Sequence, residues 1–248
     1  MSTQPDTSHP DDAINLLEQE KQQLISLISH DLRSPFNRLQ ALIQLLQMND
    51  ANLTADQKIY LEKMHIVVAD ALAMMRNLMD YRSLELGLLN LQPEEISVKE
   101  LLAGVMKNFS GVAHKKEIRI ELSNAPEIKI TTDRYSLQRA TENIVSNALK
   151  FSFGGKSVTI DSGVSDNNLW ITVSDEGQGF KASELTGIGE KFKKFSARPT
   201  GGESSTGLGL YVAYTLLLRI GGQIKVQSKE GRGSTFRITL PTAANKIN

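Results

Sequence analysis

The 248-residue chain contains no cysteine, and its acidic and basic residues balance. Without cysteine it forms neither disulfides nor thiolate metal sites, which fits a reducing compartment, and we expect a cytoplasmic location. Because 28 lysines and arginines face 28 aspartates and glutamates, no net basic field attracts polyanions. Nucleic acid is therefore not an expected partner.

Long apolar runs are also missing from the chain. No stretch reaches the roughly 18 to 20 apolar residues that a membrane-spanning helix requires, and the most apolar segment, residues 208–220, is interpreted as a core helix. Residues 1–12 lack the apolar centre of a secretory signal, so we expect a disordered leader there. We predict no membrane span in this chain, a prediction compatible with a membrane-anchored parent protein.

Residues 13–88 have the pattern of two long helices. Apolar residues recur at steps of three, four and seven up to a break at residues 49–53. Thr54 and Gln57 then have the spacing of a capping box, and the second helical pattern stops near Gly87. Because nothing else in the chain covers the apolar stripe of this hairpin, we predict a homodimer with a four-helix bundle.

The second half of the chain alternates strand-like and helical patterns, which predicts an α+β fold with helices on one face of a mixed sheet. The predicted strands are 118–122, 158–160, 169–173, 224–227 and 235–240, and the predicted helices are 98–115, 135–151 and 208–220. The predicted domains are a leader (1–12), a helical hairpin (13–88), a linker (89–95), an α+β domain (96–243) and a tail (244–248).

The predicted helix 135–151 carries the first candidate ligand groups. At 100° per residue Asn143, Asn147 and Lys150 share one face, opposite an apolar face that packs on the sheet. Two amides and an ammonium then face a common space. Taken alone, the pattern also fits a solvated helix face.

A glycine-containing turn follows the predicted strand 169–173. Gly177 and Gly179 permit positive φ and close approach of the backbone to a ligand. Asp175, at the end of the strand, is placed to accept a hydrogen bond from an exocyclic amine. A glycine turn of this kind is a moderate indication of a ligand site.

A long loop, residues 180–206, comes next and has the length of a lid. Its basic residues, Lys194 among them, indicate either neutralisation of phosphate charge or a solvated basic loop. The loop ends at Thr206, Gly207, Leu208 and Gly209, where the start of a helix offers free amides to a polyphosphate.

Taken in order, the patterns N-x-x-x-N-x-x-K, D-x-G-x-G, F-x-x-F and G-L-G closely resemble the catalytic ATP-binding domain of sensor histidine kinases. The resemblance covers residues 95–241 and implies an α/β sandwich of the gyrase/histidine-kinase ATPase type, with ATP and Mg²⁺ as cofactors. By this resemblance Asn147 would hold Mg²⁺, with Asn143 nearby, and Lys150 and Lys194 would contact phosphate oxygens. Asp175 would bind the adenine amine, and Gly177 and Gly179 would shape the floor of the adenine site. Phe192 and Phe195 would anchor the lid.

His30 lies in the string I-S-H-D-L-R-S-P-F, which resembles the phosphoacceptor box of the same kinases. The resemblance implies that His30 is phosphorylated and that Asp31 orients its imidazole. Ser34 stands where relatives more often have threonine or asparagine to position a water, so phosphatase activity stays an open question. Pro35 is expected to kink the helix just after His30.

We therefore predict an ATP-dependent protein histidine kinase that autophosphorylates on His30. No receiver domain follows residue 241, so we expect transfer to an aspartate of a separate response regulator. Two alternatives are a catalytically silent dimeric phosphotransfer scaffold and a gyrase-like ATPase. The gyrase-like ATPases carry a water-activating glutamate where Asn143 stands, and an asparagine cannot take a proton in that way.

Overall fold

A computed structural model describes residues 31–48 and 52–242. The chain divides into two units, with the boundary in the sequence between Ser83 and Leu84. The predicted leader, His30, the first half of the first predicted helix, residues 49–51 of the predicted break and the predicted tail lie outside the described residues. None of the described helices has the length and apolarity needed to cross a membrane.

The first unit is a helical hairpin. Helix α1 covers residues 31–48, and α2 (Ala55–Glu85) follows after a short connection. The Gln47 amide bonds Glu62 at 3.4 Å and the Arg33 guanidinium contacts the Met79 sulfur, so the helices pair in opposite directions. A buried cluster joins them, made of Ile43, Leu61, Val68, Leu72 and Met75.

Helix α2 has the predicted capping residues at its N-terminal end and the predicted glycine after its C-terminal end. The Thr54 amide donates to Gln57 Oε1 at 2.9 Å and the Gln57 amide donates to Thr54 Oγ1 at 3.3 Å, which confirms the capping box. At the other end Gly87 has φ +64°, a left-handed value that glycine adopts without strain. Pro35 lies inside α1, where helical structure continues although the proline lacks an amide donor.

The second unit is built on a five-stranded mixed sheet, as predicted. Its strands are β2 (Arg119–Asn124), β4 (Ser157–Ser165), β5 (Asn168–Asp175), β6 (Gln223–Lys229) and β7 (Gly233–Pro241). Their order is β2-β4-β5-β7-β6, with β2 and β4 parallel and the other neighbours antiparallel. All five correspond to predicted strands.

Three helices cover one face of this sheet. They are α3 (Val98–Lys115), α4 (Arg134–Phe151) and α5 (Gly209–Arg219). Leu169, Ile171 and Val173 alternate along β5 and are buried, because their side chains all point to the helical face. The core therefore lies between one face of the sheet and the helices.

Trp170 lies on the opposite face of β5. Its ring centroid is 4.8 Å from the Arg237 guanidinium carbon, and it faces Gly163 across the strand pair. A Cβ at Gly163 would lie 2.5 Å from the indole, so only glycine leaves room for the ring. This pairing fixes the tryptophan against the sheet.

A small second sheet corrects the predicted linker. Pro93–Ser97 form β1, which pairs antiparallel with β3 (Lys129–Asp133). Residues 93–95, assigned to the linker, therefore lie in a strand. The pairing partners are more than thirty residues apart, and local pattern does not reveal such a contact.

Candidate functional site

Helix α4 is held at its start by an aspartate cap. The Ser136 amide donates to Asp133 Oδ1 at 2.8 Å, and the Gln92 amide donates to Oδ2 of the same residue at 2.9 Å. The cap fixes where the helix begins.

Asn143 and Asn147 share one face of α4. Asn143 is 5% exposed, and its Nδ2 is buried without a hydrogen-bond partner in the described residues, whereas Asn147 is half-buried. A buried unpaired amide costs about 1–3 kcal/mol, so a donor of this kind indicates that a water or ligand completes the site.

The donor set fits a magnesium nucleotide better than a stand-alone metal site. Within residues 31–48 and 52–242, no three carboxylate, imidazole or thiol side chains gather as a metal cage. Mg²⁺ usually keeps several waters and takes few protein ligands beside substrate phosphates. An amide oxygen from Asn147 satisfies that requirement.

Asp175 closes the end of β5 and has an altered acidity. Its Oδ1 accepts hydrogen bonds from the Gly177 amide at 2.8 Å and the Ser234 amide at 3.2 Å. Burial raises the pKa of this carboxyl to about 6, and the two amide bonds only partly oppose that rise. Because both bonds use Oδ1, Oδ2 is the oxygen left for a ligand donor.

The glycines beside Asp175 bring protein segments together. Gly179 has φ +65°, as expected, but Gly177 has no left-handed φ. A Cβ on Gly177 would lie 2.7 Å from the Phe151 carbonyl oxygen, and one on Gly179 would collide with the Lys229 carbonyl oxygen. The close approach predicted for a ligand is made here by the chain's own backbone.

This close packing joins the asparagine helix to the aspartate turn. The Gln178 amide donates to the Phe151 carbonyl at 3.3 Å, at the C-terminal end of α4. The Gln178 carbonyl in turn accepts from the Gly231 amide at 2.7 Å. The C-terminal end of α4 and the turn that follows Asp175 are therefore in direct contact.

The predicted lid contains a short 3-10 helix, Ala182–Gly187, and an aromatic anchor. Phe195 meets Phe180 edge-on at 5.0 Å between ring centroids, and Phe180 meets Phe236 at 6.2 Å. Phe192, predicted as a second anchor, is 56% exposed and has φ +57°. Phe180 is the anchor that the sequence argument missed, although it directly follows the glycine turn.

The basic residues of the lid lie in different surroundings. Lys194 is exposed, where it is available to an incoming anion. Lys191 bonds Glu85 at 2.7 Å, and the Tyr211 hydroxyl donates to the other oxygen of Glu85 at 2.7 Å. The first half of the lid is thereby connected to α5 and to the segment that precedes the linker.

The second half of the lid is bonded to the end of α4. The Lys150 ammonium contacts the Ser204 carbonyl, and the Thr200 amide donates to the Lys150 carbonyl at 3.0 Å. Lys116 and Glu203 form an ion pair at 2.8 Å beside them. Neither Lys116 nor Glu203 was singled out from the sequence, because nothing local links residues 87 positions apart.

The lid ends where α5 begins. Gly207 has φ +71°, and a Cβ there would lie 2.6 Å from the Phe192 carbonyl carbon. The Leu208 amide donates to Thr206 Oγ1 at 3.3 Å, and α5 starts at Gly209. The first amides of the helix need acceptors from outside the helix, as an anion site requires.

In the first unit, Asp31 and Ser34 are both exposed on α1. They lie three residues apart and so on neighbouring positions of the helix surface. His30, the predicted phosphoacceptor, lies outside the described residues.

Two family models match the chain. The "His Kinase A (phospho-acceptor) domain" matches residues 20–87, and the "Histidine kinase-, DNA gyrase B-, and HSP90-like ATPase" matches residues 132–244. Together they cover more than half of the chain. The chain belongs to the sensor histidine kinases of two-component systems.

Relatives of this kinase chain are sensor proteins. It is 30% identical over 246 residues to the aerobic respiration control sensor protein ArcB of Escherichia coli, covering 96% of this chain and 31% of ArcB. An uncharacterized sensor-like histidine kinase of Rhizobium meliloti is 29% identical over 228 residues, which cover 91% of this chain and 43% of the relative. The chain thus spans less than half the length of these relatives.

A solved relative has a similar fold. Full-length ShkA, crystallised in complex with AMPPNP, superposes with a TM-score of 0.65 at 26% identity, covering 90% of this chain and 47% of ShkA. The comparison agrees with a helical region followed by a mixed-sheet ATPase domain, which confirms the predicted fold class.

Proposed function

We propose that this chain binds Mg·ATP in its second unit and transfers the γ-phosphoryl group to His30. The observation that carries the proposal is the buried Nδ2 of Asn143, which has no partner among the described residues, on a helix whose C-terminal end contacts the turn after Asp175. The two family models that match the chain describe an ATPase and a phosphoacceptor domain, which agrees with this proposal.

Each group in the site suits one part of the nucleotide. Oδ2 of Asp175 would accept a hydrogen bond from the adenine amine, with Gly177 and Gly179 beneath the ring. Lys150, Lys194 and the first amides of α5 after Thr206, Gly207 and Leu208 would bind phosphate oxygens. Asn147 would hold Mg²⁺, which when bound neutralises charge on the phosphates, and Asn143 would lie beside it.

In the transfer step, a nitrogen lone pair of the neutral His30 imidazole attacks the γ-phosphorus. An N–P bond forms, the bond from the γ-phosphorus to the β,γ-bridging oxygen breaks, and ADP leaves with that electron pair. Asp31 would hydrogen-bond the other ring nitrogen, fix the tautomer and stabilise the positive charge that develops on the ring. The site supplies positioning and charge neutralisation, which dominate the catalysis of phosphoryl transfer.

The partners follow from the same chemistry. A phosphorylated histidine is a reactive donor, and we expect an aspartate on the receiver domain of a separate response regulator to accept the group. Ser34, three residues after Asp31 on α1, has a hydroxyl that would position a water.

We also propose that the chain forms a homodimer, because a second copy would cover the exposed leucines of the hairpin.

The two alternatives account for less of the site. A gyrase-like ATPase needs a general base at the start of the polar face, and Asn143 offers a buried amide instead. A silent scaffold explains neither a buried donor without a partner among the described residues nor a carboxylate of raised pKa. Both features fit a site that holds ATP for an external nucleophile.

The test is incubation with γ-labelled ATP and Mg²⁺, followed by analysis of label on the protein. We expect acid-labile, base-stable label that His30→Gln abolishes and Asn147→Asp strongly reduces. His114→Gln, which changes an exposed histidine on α3, is the matched control and should keep the label. Steady phosphate release without labelled protein would favour the ATPase, and label on serine or threonine would refute the mechanism.

A further inference from the structure

The C-terminal end of α4 lacks intrahelical donors for its last carbonyls, and Thr200 of the lid and Lys116 donate to the Lys150 carbonyl. The Lys150 carbonyl accepts from the Thr200 amide at 3.0 Å, from Thr200 Oγ1 at 3.2 Å and from the Lys116 ammonium at 3.3 Å. Thr200 Oγ1 also contacts the Ser152 carbonyl at 2.6 Å. The base of the lid, residues 200–204, thus caps the helix that carries both asparagines.

An ion pair between Lys116 and Glu203 adds to this cap. The Lys116 ammonium lies 2.8 Å from Glu203 Oε1, and the side chains are only 15% and 18% exposed. The other oxygen of Glu203 accepts from the Gly201 amide at 2.8 Å. Lys116 also places a positive charge at the negative end of the α4 dipole, where a cation is favourable.

The pair is of a different kind from the surface ion pairs of the second unit. Lys99 and Glu127 lie at 2.6 Å but are 50% and 72% exposed, so water screens them and their contribution is small. A shielded pair with further hydrogen bonds on both partners holds its geometry more firmly. Burial raises the pKa of Glu203, but its bonds with Lys116 and backbone amides outweigh that effect and leave the pKa lowered.

We propose that Lys116 and Glu203 are positioning residues for the nucleotide site, forming a strap that fixes the lid base on α4. The strap keeps the ammonium of Lys150 next to Ser204, at the lid segment that leads into Gly207. Phosphate-binding groups on α4 and at the start of α5 are thereby held in one arrangement before ATP arrives. Neither residue touches the nucleotide. The inference rests on the proposed binding of ATP at this site.

Two variants test the strap. Glu203→Gln keeps the size of the side chain but removes the charge and one of its two acceptor oxygens, and Lys116→Met keeps the length of the side chain. Glu127→Gln, which breaks the exposed pair, is the matched control. The first measurement is amide hydrogen exchange over residues 200–204 in the nucleotide-free protein, and the second is affinity for a non-hydrolysable Mg·ATP analogue.

We expect both strap variants to exchange about tenfold faster at the lid base and to bind the analogue about tenfold more weakly, since a charge-assisted bond is lost. The control should match the wild type in both. Unchanged exchange overturns the strap whatever the affinity does, and faster exchange with unchanged affinity overturns its positioning role. A wild type that fails to bind the analogue would instead refute the proposed function, while the exchange measurement would still decide whether the strap exists.

Discussion

Asp175 combines a cost in stability with a proposed role in recognition of the adenine. Its pKa is about 6 in the folded chain against 3.8 ordinarily, so the fold favours the protonated acid. Protonated Asp175 therefore contributes to the free energy of unfolding. This contribution is complete below the ordinary pKa of 3.8 and is lost as the pH rises through about 6. At neutral pH the folded protein therefore holds a carboxylate at the expense of stability.

The variant Asp175→Asn separates the two roles. We expect it to be more stable than the wild type at pH 8, by on the order of 2 kcal/mol or less, and equally stable near pH 4. Urea unfolding at both pH values measures this. A loss of stability at pH 8 would show that the carboxylate is stabilising.

The same variant should bind ATP at least about tenfold more weakly, because an amide nitrogen would face the adenine amine in place of Oδ2. For the wild type we expect affinity to fall as the pH drops below about 6, since the proton turns Oδ2 from an acceptor into a donor. Calorimetric titration across this range checks both statements. The variant is the control, and its affinity should change less over the same range.

At the level of secondary-structure elements, the junction between the lid and α5 depends on Gly207. Its φ of +71° and the 2.6 Å approach of a Cβ to Phe192 mean that Gly207→Ala adds strain and a clash. We expect about 1–3 kcal/mol of destabilisation or a displaced lid, and a clear loss of ATP affinity. Thermal unfolding and nucleotide titration measure the two effects.

Gly202 offers a control within the same lid. It has φ +78°, but a Cβ there meets nothing within 4 Å. Gly202→Ala therefore adds the conformational strain without the clash. Equal effects of the two variants on affinity would show that the clash at Gly207 is unimportant.

Local patterns predicted those elements whose stability is local. The capping box at Thr54, the stop at Gly87 and the five strands of the main sheet were visible because spacing and residue type specify them. The pairing of β1 with β3 was not, since Pro93 opens a largely exposed strand whose partner is distant in sequence. The geometry of Gly177 was mistaken for the same reason: the atom it approaches, the Phe151 carbonyl, comes from another element.

The candidate site divides in the same way. Asn143, Asn147 and Asp175 could be proposed as ligand groups because a helix face and a strand end set their positions. The contacts of Lys116, Glu203 and Phe180 could not be predicted, because they form only once the lid has packed against α4 and the sheet. Long-range packing is therefore what sequence reasoning missed here.

At the level of the whole molecule, the first unit has an apolar surface that a single chain leaves exposed. Leu39, Leu42 and Leu46 on α1 are all about half exposed, and Leu42 is 57% exposed. Covering such a stripe is favourable by about 25 cal/mol per Å² of apolar surface buried. Association of two hairpins would bury it.

We therefore expect light scattering to report about twice the 27.4 kDa chain mass. Leu42→Glu should shift the protein towards a monomer, because a carboxylate cannot be buried unpaired at the interface. Leu218→Glu, at an exposed position of α5, is the control and should remain a dimer. A monomeric wild type at micromolar concentration would refute the bundle.

The tryptophan that stacks on Arg237 is the only one in the chain, so fluorescence excited selectively at tryptophan reports on the sheet. The far-ultraviolet circular dichroism reports the helices of both units, because α3, α4 and α5 together are about as long as α1 and α2. When both signals are recorded during one denaturation, a loss of circular dichroism that the fluorescence does not follow is assigned to the hairpin. Any substitution can then be assigned to the half it weakens, and a single midpoint is justified only if the two curves coincide.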